Sequence, residues 1–117
     1  MYTYNGTITA VYDGDTLTCD MDLGFNMWAK KAKLRLYGLN TPEIRGGTAL
    51  TKQAGYAARD FVRDLVLGKT VRVHSVGKGK YGRYLATVWP IEDGQVREES
   101  LNDELVRLGM AEVYMRD

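Results

Sequence analysis

A single change of period constrains this chain more than any other feature. Up to residue 37 the apolar residues recur at every second position, and from residue 49 they recur at every third or fourth. Residues 2–11, rich in Tyr, Thr, Ile and Val, read as a first strand. Asp13-Gly14 is a hairpin turn signal. From Thr16 to Leu23, Leu17, Cys19, Met21 and Leu23 alternate with Thr16, Thr18, Asp20 and Asp22, the pattern of a half-buried second strand. Gly24-Phe25-Asn26 opens a loop whose tip is expected to carry Trp28. A third strand, Lys31–Tyr37, turns Leu34 and Leu36 inward and Lys33, Arg35 and Tyr37 outward. Between Ala49 and Leu67 the helical spacing of Ala54, Ala58, Phe61 and Leu65 predicts a helix with Arg59, Asp60, Arg63 and Asp64 turned outward and Gly68 as its stop. Val71 and Val73, with Val76, mark a fourth strand, and Tyr84–Trp89 a fifth that Pro90 ends. Ser100 with Asp103 resembles a capping box opening a last helix, with Leu101, Leu105 and Leu108 toward the core and Gly109 as its stop.

Three strands, a helix, two strands and a helix suit an α+β, mainly β fold: a small five-stranded barrel of the oligonucleotide-binding type with two helices. The 117 residues fit one domain spanning 1–117 and are too few for two packed sheets with helices on both faces. Hydrophobic residues make up 44% and charged residues 26%, the balance of an ordered chain. No apolar run reaches membrane-spanning length, so no membrane association is expected. The first residues show no basic region before an apolar block, which points to the cytoplasm, or to secretion by a leader outside this sequence. One cysteine, Cys19, excludes an internal disulfide and reads as a core thiol; one histidine, His74, excludes a His-His metal cluster.

The net charge of +1 conceals an asymmetry. Residues 30–45 hold Lys30, Lys31, Lys33, Arg35 and Arg45 against Glu43, and residues 69–83 hold Lys69, Arg72, Lys78, Lys80 and Arg83 with no acid. Residues 92–104 reverse this, with Glu92, Asp93, Glu98, Glu99, Asp103 and Glu104 against Arg97. If the two basic segments are neighbours they form a face for a polyanion; charge alone is equally consistent with ordinary solvated surfaces.

Three separated motifs carry the candidate chemistry. Asp13-Gly14-Asp15-Thr16 forms the first hairpin turn, Arg35 and Asn40-Thr41-Pro42-Glu43 form the end of the third strand, and Lys80-Tyr81-Gly82-Arg83 precedes the fifth. Asp15, the Asn40 amide and the Thr41 carbonyl are oxygen donors of the kind that hard cations prefer. Arg35 and Arg83 offer permanently charged forks that match phosphate, and Glu43 can act as a general base toward water. Together these groups suit hydrolysis of a phosphodiester.

The same residues, with Leu34-Arg35-Leu36, Leu85-Ala86, Asn102, Leu105-Val106-Arg107 and Gly109-Met110-Ala111, resemble the staphylococcal nuclease family in the family's order over nearly the whole chain. The resemblance implies the five-stranded barrel and a Ca²⁺-dependent nuclease, with Mg²⁺ or another hard divalent cation as a substitute, that cuts DNA and RNA to leave 3′-phosphates, here as a monomer. By position it makes Asp15, Asn40 and Thr41 metal ligands, Arg35, Glu43 and Arg83 the catalytic residues, and Lys80 and Tyr81 contacts to a substrate phosphate. Two positions depart from it. The family usually has Asp-Thr-Pro-Glu where this chain has Asn40, which removes one negative charge; and the chain ends at Asp117, where the type member continues into a third helix. The charge lost at Asn40 leaves a second reading, a barrel that grips nucleic acid or a protein partner without cutting. Asp15, Arg35, Glu43 and Arg83 together favour the enzyme, because a binder has little use for a carboxylate beside phosphates.

Overall fold

In the computed structural model, which describes residues 2–114, the chain forms eight strands and two helices. β1 (Thr3–Asp13), β2 (Thr16–Gly24) and β3 (Met27–Leu36) make an antiparallel meander, followed by the short β4 (Leu39–Asn40). α1 (Ala49–Val66) leads to β5 (Thr70–Lys78) and β6 (Tyr84–Glu92). β7 (Gln95–Val96) folds back on β6, α2 (Leu101–Arg107) follows, and β8 (Glu112–Val113) pairs with β4. The five long strands close into a barrel because β1 also pairs with β5, β5 with β6, and β6 with β3. The last pairing is parallel and brief: Leu34↔Tyr84, Arg35↔Leu85 and Leu36↔Ala86. It is the oligonucleotide-binding architecture expected from the order of periods.

The inward positions fill the barrel. Ile8, Leu17, Cys19, Leu36, Val71, Val73 and Val88 are fully or almost fully buried there, and Val62, Val66, Leu101 and Leu105 join them from the helices. Burial pushes the Cys19 thiol up to about 12, so it is an inert core group as expected. Among the described residues no helix is long and apolar enough to cross a membrane.

Several boundaries differ from the periodicity. The turn expected at Gly24–Trp28 is only Phe25-Asn26, both with positive φ, and β3 starts at Met27, so Trp28 stands on the strand opposite Asp22. The buried face of α1 is Gly55, Ala58, Val62 and Val66, one residue on from most of the expected set; Ala54 is exposed, and Phe61 and Leu65 are half-buried. The helix starts after Thr48, whose hydroxyl accepts from Thr51 N–H, and Gly68 follows its end at φ 75°. β6 does not end at Pro90 but runs through it to Glu92. Pro90 has the parity of Val88, whose N–H points away from β5 to Asn102, so its missing N–H interrupts no β5–β6 bond. Ser100 caps α2 through Asp103 N–H, as expected, but Leu108 is an exposed C-cap rather than a core residue.

Two close approaches position the polar rim. A Cβ on Gly55 would lie 2.7 Å from the Pro42 carbonyl and 3.1 Å from that of Glu43, so α1 packs its backbone directly on the Pro42-Glu43 segment. A Cβ on Gly14 would lie 2.7 Å from Thr41 Cγ2 and 3.0 Å from Ala58 Cβ, which wedges the β1–β2 turn between Thr41 and α1.

Candidate active site

Asp15 is the centre of the rim and only 8% exposed. The turn that carries it is braced by its own N–H, which donates to Asp13 Oδ1 at 3.1 Å. Asp15 Oδ1 accepts from the Thr16 hydroxyl at 3.2 Å, and Oδ2 from Thr41 N–H at 3.0 Å. Arg35 reaches the same oxygen from β3, whose ladder sets Thr16 opposite Arg35. Its Nη1 lies 2.8 Å from Asp15 Oδ2 but outside hydrogen-bonding direction, so a buried donor is held by charge alone. Its Nη2 donates to Asn40 Oδ1. Asp15, Arg35, Asn40 and Thr41, from three different segments, therefore meet around one guanidinium. Asn40 spends its side-chain oxygen on Arg35 rather than on capping the turn before Pro42.

The two carboxylates of the turn are pushed apart in acidity. Burial, and then the neighbouring Asp15, raise Asp13 to about 6. Burial also works against ionised Asp15, but the hydrogen bond from Asp13, the Thr41 N–H and the Arg35 charge outweigh it and hold Asp15 below the usual carboxylate range. Asp13 was read from the sequence only as part of a turn; two carboxylates separated by one glycine were the available signal.

Glu43 follows Pro42 on an irregular segment and is exposed. Its carboxylate makes no hydrogen bond or ion pair among the described residues, and it borders the same cleft as Asp13 and Lys33. Arg83, Lys80 and Tyr81 are not drawn into the Asp15 cluster. They form their own turn, in which Tyr81 and Gly82 take φ of 61° and 73°, Arg83 Nε lies 3.4 Å from the Lys80 carbonyl, and the guanidinium sits 5.6 Å from the centre of the Tyr81 ring. Tyr81 is 89% exposed. The turn delivers the chain to Tyr84, the residue paired with Leu34, so it enters beside Lys33 and Arg35 on the outer face of β3. Asn102, named above only within a motif, is a buried amide. Its Oδ1 accepts from Val88 N–H at 3.0 Å, and its Nδ2 donates to the Tyr37 and Ala86 carbonyls at 3.0 and 3.1 Å. It ties α2 to both strands of the closing pair.

Asp15 Oδ2 and Asn40 Oδ1 converge on a single positive charge, that of Arg35, and both are hard oxygens. Among the described residues no three His, Cys, Asp or Glu side chains form a metal-binding group. The set thus fits a hard divalent cation held by few protein ligands and completed by water or substrate oxygen.

Residues 33–117 match the family described as staphylococcal nuclease homologue. The chain belongs to the staphylococcal nuclease family. A Haemophilus influenzae protein described as an uncharacterized endonuclease is 32% identical over 107 residues, covering 92% of this chain and 51% of that protein. A Staphylococcus hyicus thermonuclease is 31% identical over 106 residues, covering 89% and 56%. An Escherichia coli O157:H7 protein, also described as an uncharacterized endonuclease, is 33% identical over 110 residues, covering 94% and 61%. The chain therefore spans about half to three-fifths of the length of these curated relatives of the staphylococcal nuclease family.

Proposed function

We propose that this protein is a divalent-cation-dependent nuclease that hydrolyses phosphodiester bonds of DNA or RNA, acting as a monomer and leaving 3′-phosphates. The observation that carries the reading is the convergence of Asp15, Asn40 and Arg35, with Glu43, which has no ion pair among the described residues, lining a cleft together with Asn40 and Thr41. The names of the relatives, thermonuclease and endonuclease, point the same way.

Asp15, Asn40 and the Thr41 carbonyl are the residues that would hold Ca²⁺ or Mg²⁺. Such an ion, when bound, neutralises phosphate charge and polarises the phosphorus–oxygen bonds. The chain's own residues do the rest. Arg35 and Arg83 bind the non-bridging oxygens and stabilise the charge that builds there as phosphorus becomes five-coordinate. Glu43 accepts a proton from the water whose oxygen bonds to phosphorus. The bond to the 5′-oxygen breaks, and that oxygen takes up a proton from solvent. Lys80 and Tyr81 contact a neighbouring phosphate from the exposed loop.

The rival reading, a binding module, draws on Asn40, which supplies a dipole where a carboxylate would supply a charge. Incubating the purified protein with plasmid DNA and with RNA, with Ca²⁺ or with excess chelator, separates the two. Cation-dependent cleavage giving 3′-phosphate ends is expected. Binding without cleavage supports the module, and full cleavage in chelator removes the cation from the mechanism.

A further inference from the structure

Beyond the Asp15 cluster, a concavity of about 720 Å³ lies between α1 and the end of β1. Asp13 and Glu43 border it on the side of the reaction site. Apart from Thr18, the rest of its polar wall is cationic and aromatic. Tyr56, Arg59 and Arg63 follow one another at helical spacing on one face of α1, and Tyr12, Lys33 and Arg45 approach from β1, β3 and the loop before α1.

Two pairs within this wall share a geometry. The Arg45 guanidinium lies 5.7 Å from the centre of the Tyr12 ring, and that of Arg59 lies 4.6 Å from the centre of the Tyr56 ring. Both tyrosines remain open to solvent, Tyr12 at 56% and Tyr56 at 42% exposed. Arg59 is steadied by Asp60, which does not line the cleft, and Arg63 by the Val11 carbonyl at 3.3 Å. Lys33 and Arg45 make no ion pair among the described residues. A solvated helix face, the reading that periodicity suggested for Arg59 and Arg63, does not account for ring–guanidinium pairs gathered in one concavity at the edge of the reaction site.

Resting on the reading of the adjoining site as one for nucleic acid, we propose that this cleft is a second subsite that seats an unpaired stretch of the strand beyond the scissile phosphate. Open tyrosine and guanidinium planes take the faces of bases, and the four cations take backbone phosphates. A duplex keeps its bases stacked on each other and offers no faces to these rings, so the subsite favours single strands. The cleft's only carboxylates, Asp13 and Glu43, lie at the end where the cation and the attacking water would sit.

The test measures binding in chelator, so that nothing is cut. Fluorescein-labelled oligo-dT and oligo-rU, each at about 4 and about 16 nucleotides, span the site sizes usual for such barrels. They are titrated into the wild type, Tyr56→Leu, Arg59→Gln and Arg45→Gln, all surface changes checked for folding by circular dichroism. Arg107→Gln removes a charge on α2, outside the cleft, as the control. The long strands are expected to lose affinity about fivefold or more with Tyr56→Leu and Arg59→Gln, the lower end of what stacking one base contributes. The short strands should lose less, and dT against rU shows whether the sugar matters. A long-strand loss no larger than that of Arg107→Gln overturns the proposal, as does an equal loss for a pre-formed duplex. A wild type that binds through the cleft yet cuts nothing when Ca²⁺ is added refutes the nuclease reading and leaves the subsite standing. One that cuts while the variants bind like wild type does the reverse.

Discussion

Replacing Asn102 with leucine removes one side chain that serves three backbone groups. The Ala86 carbonyl keeps a second donor, Tyr37 N–H at 2.8 Å, and tolerates the loss. Val88 N–H does not: it lies on a fully buried residue and loses the one acceptor it has among the described residues. A buried donor left unmade costs about 1–3 kcal/mol, and the lost bond to the Tyr37 carbonyl adds about 1 kcal/mol. The expected destabilisation of Asn102→Leu is therefore about 3 kcal/mol, a large share of the roughly 5–15 kcal/mol typical of a domain. Urea denaturation measures it, with an unchanged slope confirming that the unfolded state is not what moved. Asn102→Asp sharpens the test. The introduced carboxyl still accepts from Val88 N–H but faces two carbonyl oxygens, so its ionised form is disfavoured in the fold and its pKa rises above the unfolded value. By linkage the variant's stability relative to wild type is greatest below the unfolded-state pKa, where the carboxyl is protonated in both states. Relative stability falls as pH rises through the folded-state pKa, and the loss is complete above that pKa. A loss below about 1 kcal/mol for the leucine variant, or no pH dependence for the aspartate variant, would refute the assignment of Asn102 as the tie across the closing strands.

Arg35→Lys and Arg83→Lys should each lower turnover by about tenfold or more with the fold intact, because lysine keeps the charge but loses the planar fork; near-normal rates in both would remove the arginines from phosphate binding. Gly55→Ala should destabilise by about 1 kcal/mol although alanine is the better helix former, because the new methyl meets the Pro42 carbonyl at 2.7 Å. A raised melting temperature would show that the Pro42-Glu43 segment yields freely. Asn40→Asp should tighten Ca²⁺ binding by about tenfold, or about 1.4 kcal/mol, as a charged ligand replaces a dipole. Calorimetric titration decides, and unchanged affinity means that Asn40 is not a ligand.

The order of the long strands and the meeting of Asp15, Arg35, Asn40 and Thr41 were legible because both reside in local patterns: alternation over Thr16–Leu23, Asp-Gly in the first turn, an arginine before Gly38 and Pro42. What was misread depends on tertiary approach. The register of α1 was displaced because its inner face begins at Gly55, a residue that carries no apolar signal and is inward because a backbone carbonyl leaves no room for more. Pro90 looked like a strand end because the direction in which its absent N–H would point is fixed only by the neighbouring strands. The raised pKa of Asp13 and the three bonds of Asn102 depend on partners that sequence distance does not mark. Arg83 illustrates the remaining gap: its motif was visible, but its stacking on Tyr81 on a separate turn was not.

The parallel rung between β3 and β6 also dictates timing. Asp15, next to Thr16 in the β1–β2 turn, meets Arg35 through the local β2–β3 hairpin ladder, a contact that can form as soon as β3 leaves the ribosome. Leu36 and Ala86 stand about 50 positions apart, and their pairing must overcome the entropy of a long loop, so closure comes late. Only then is the turn bearing Arg83 carried to the end of β3, where Tyr84 pairs with Leu34. Under the proposed nuclease reading, a chain still being made holds Asp15 and Arg35 before Arg83 is in place, and activity waits for the closing pair. During refolding, activity should return with the slow closing step rather than with formation of the first three strands.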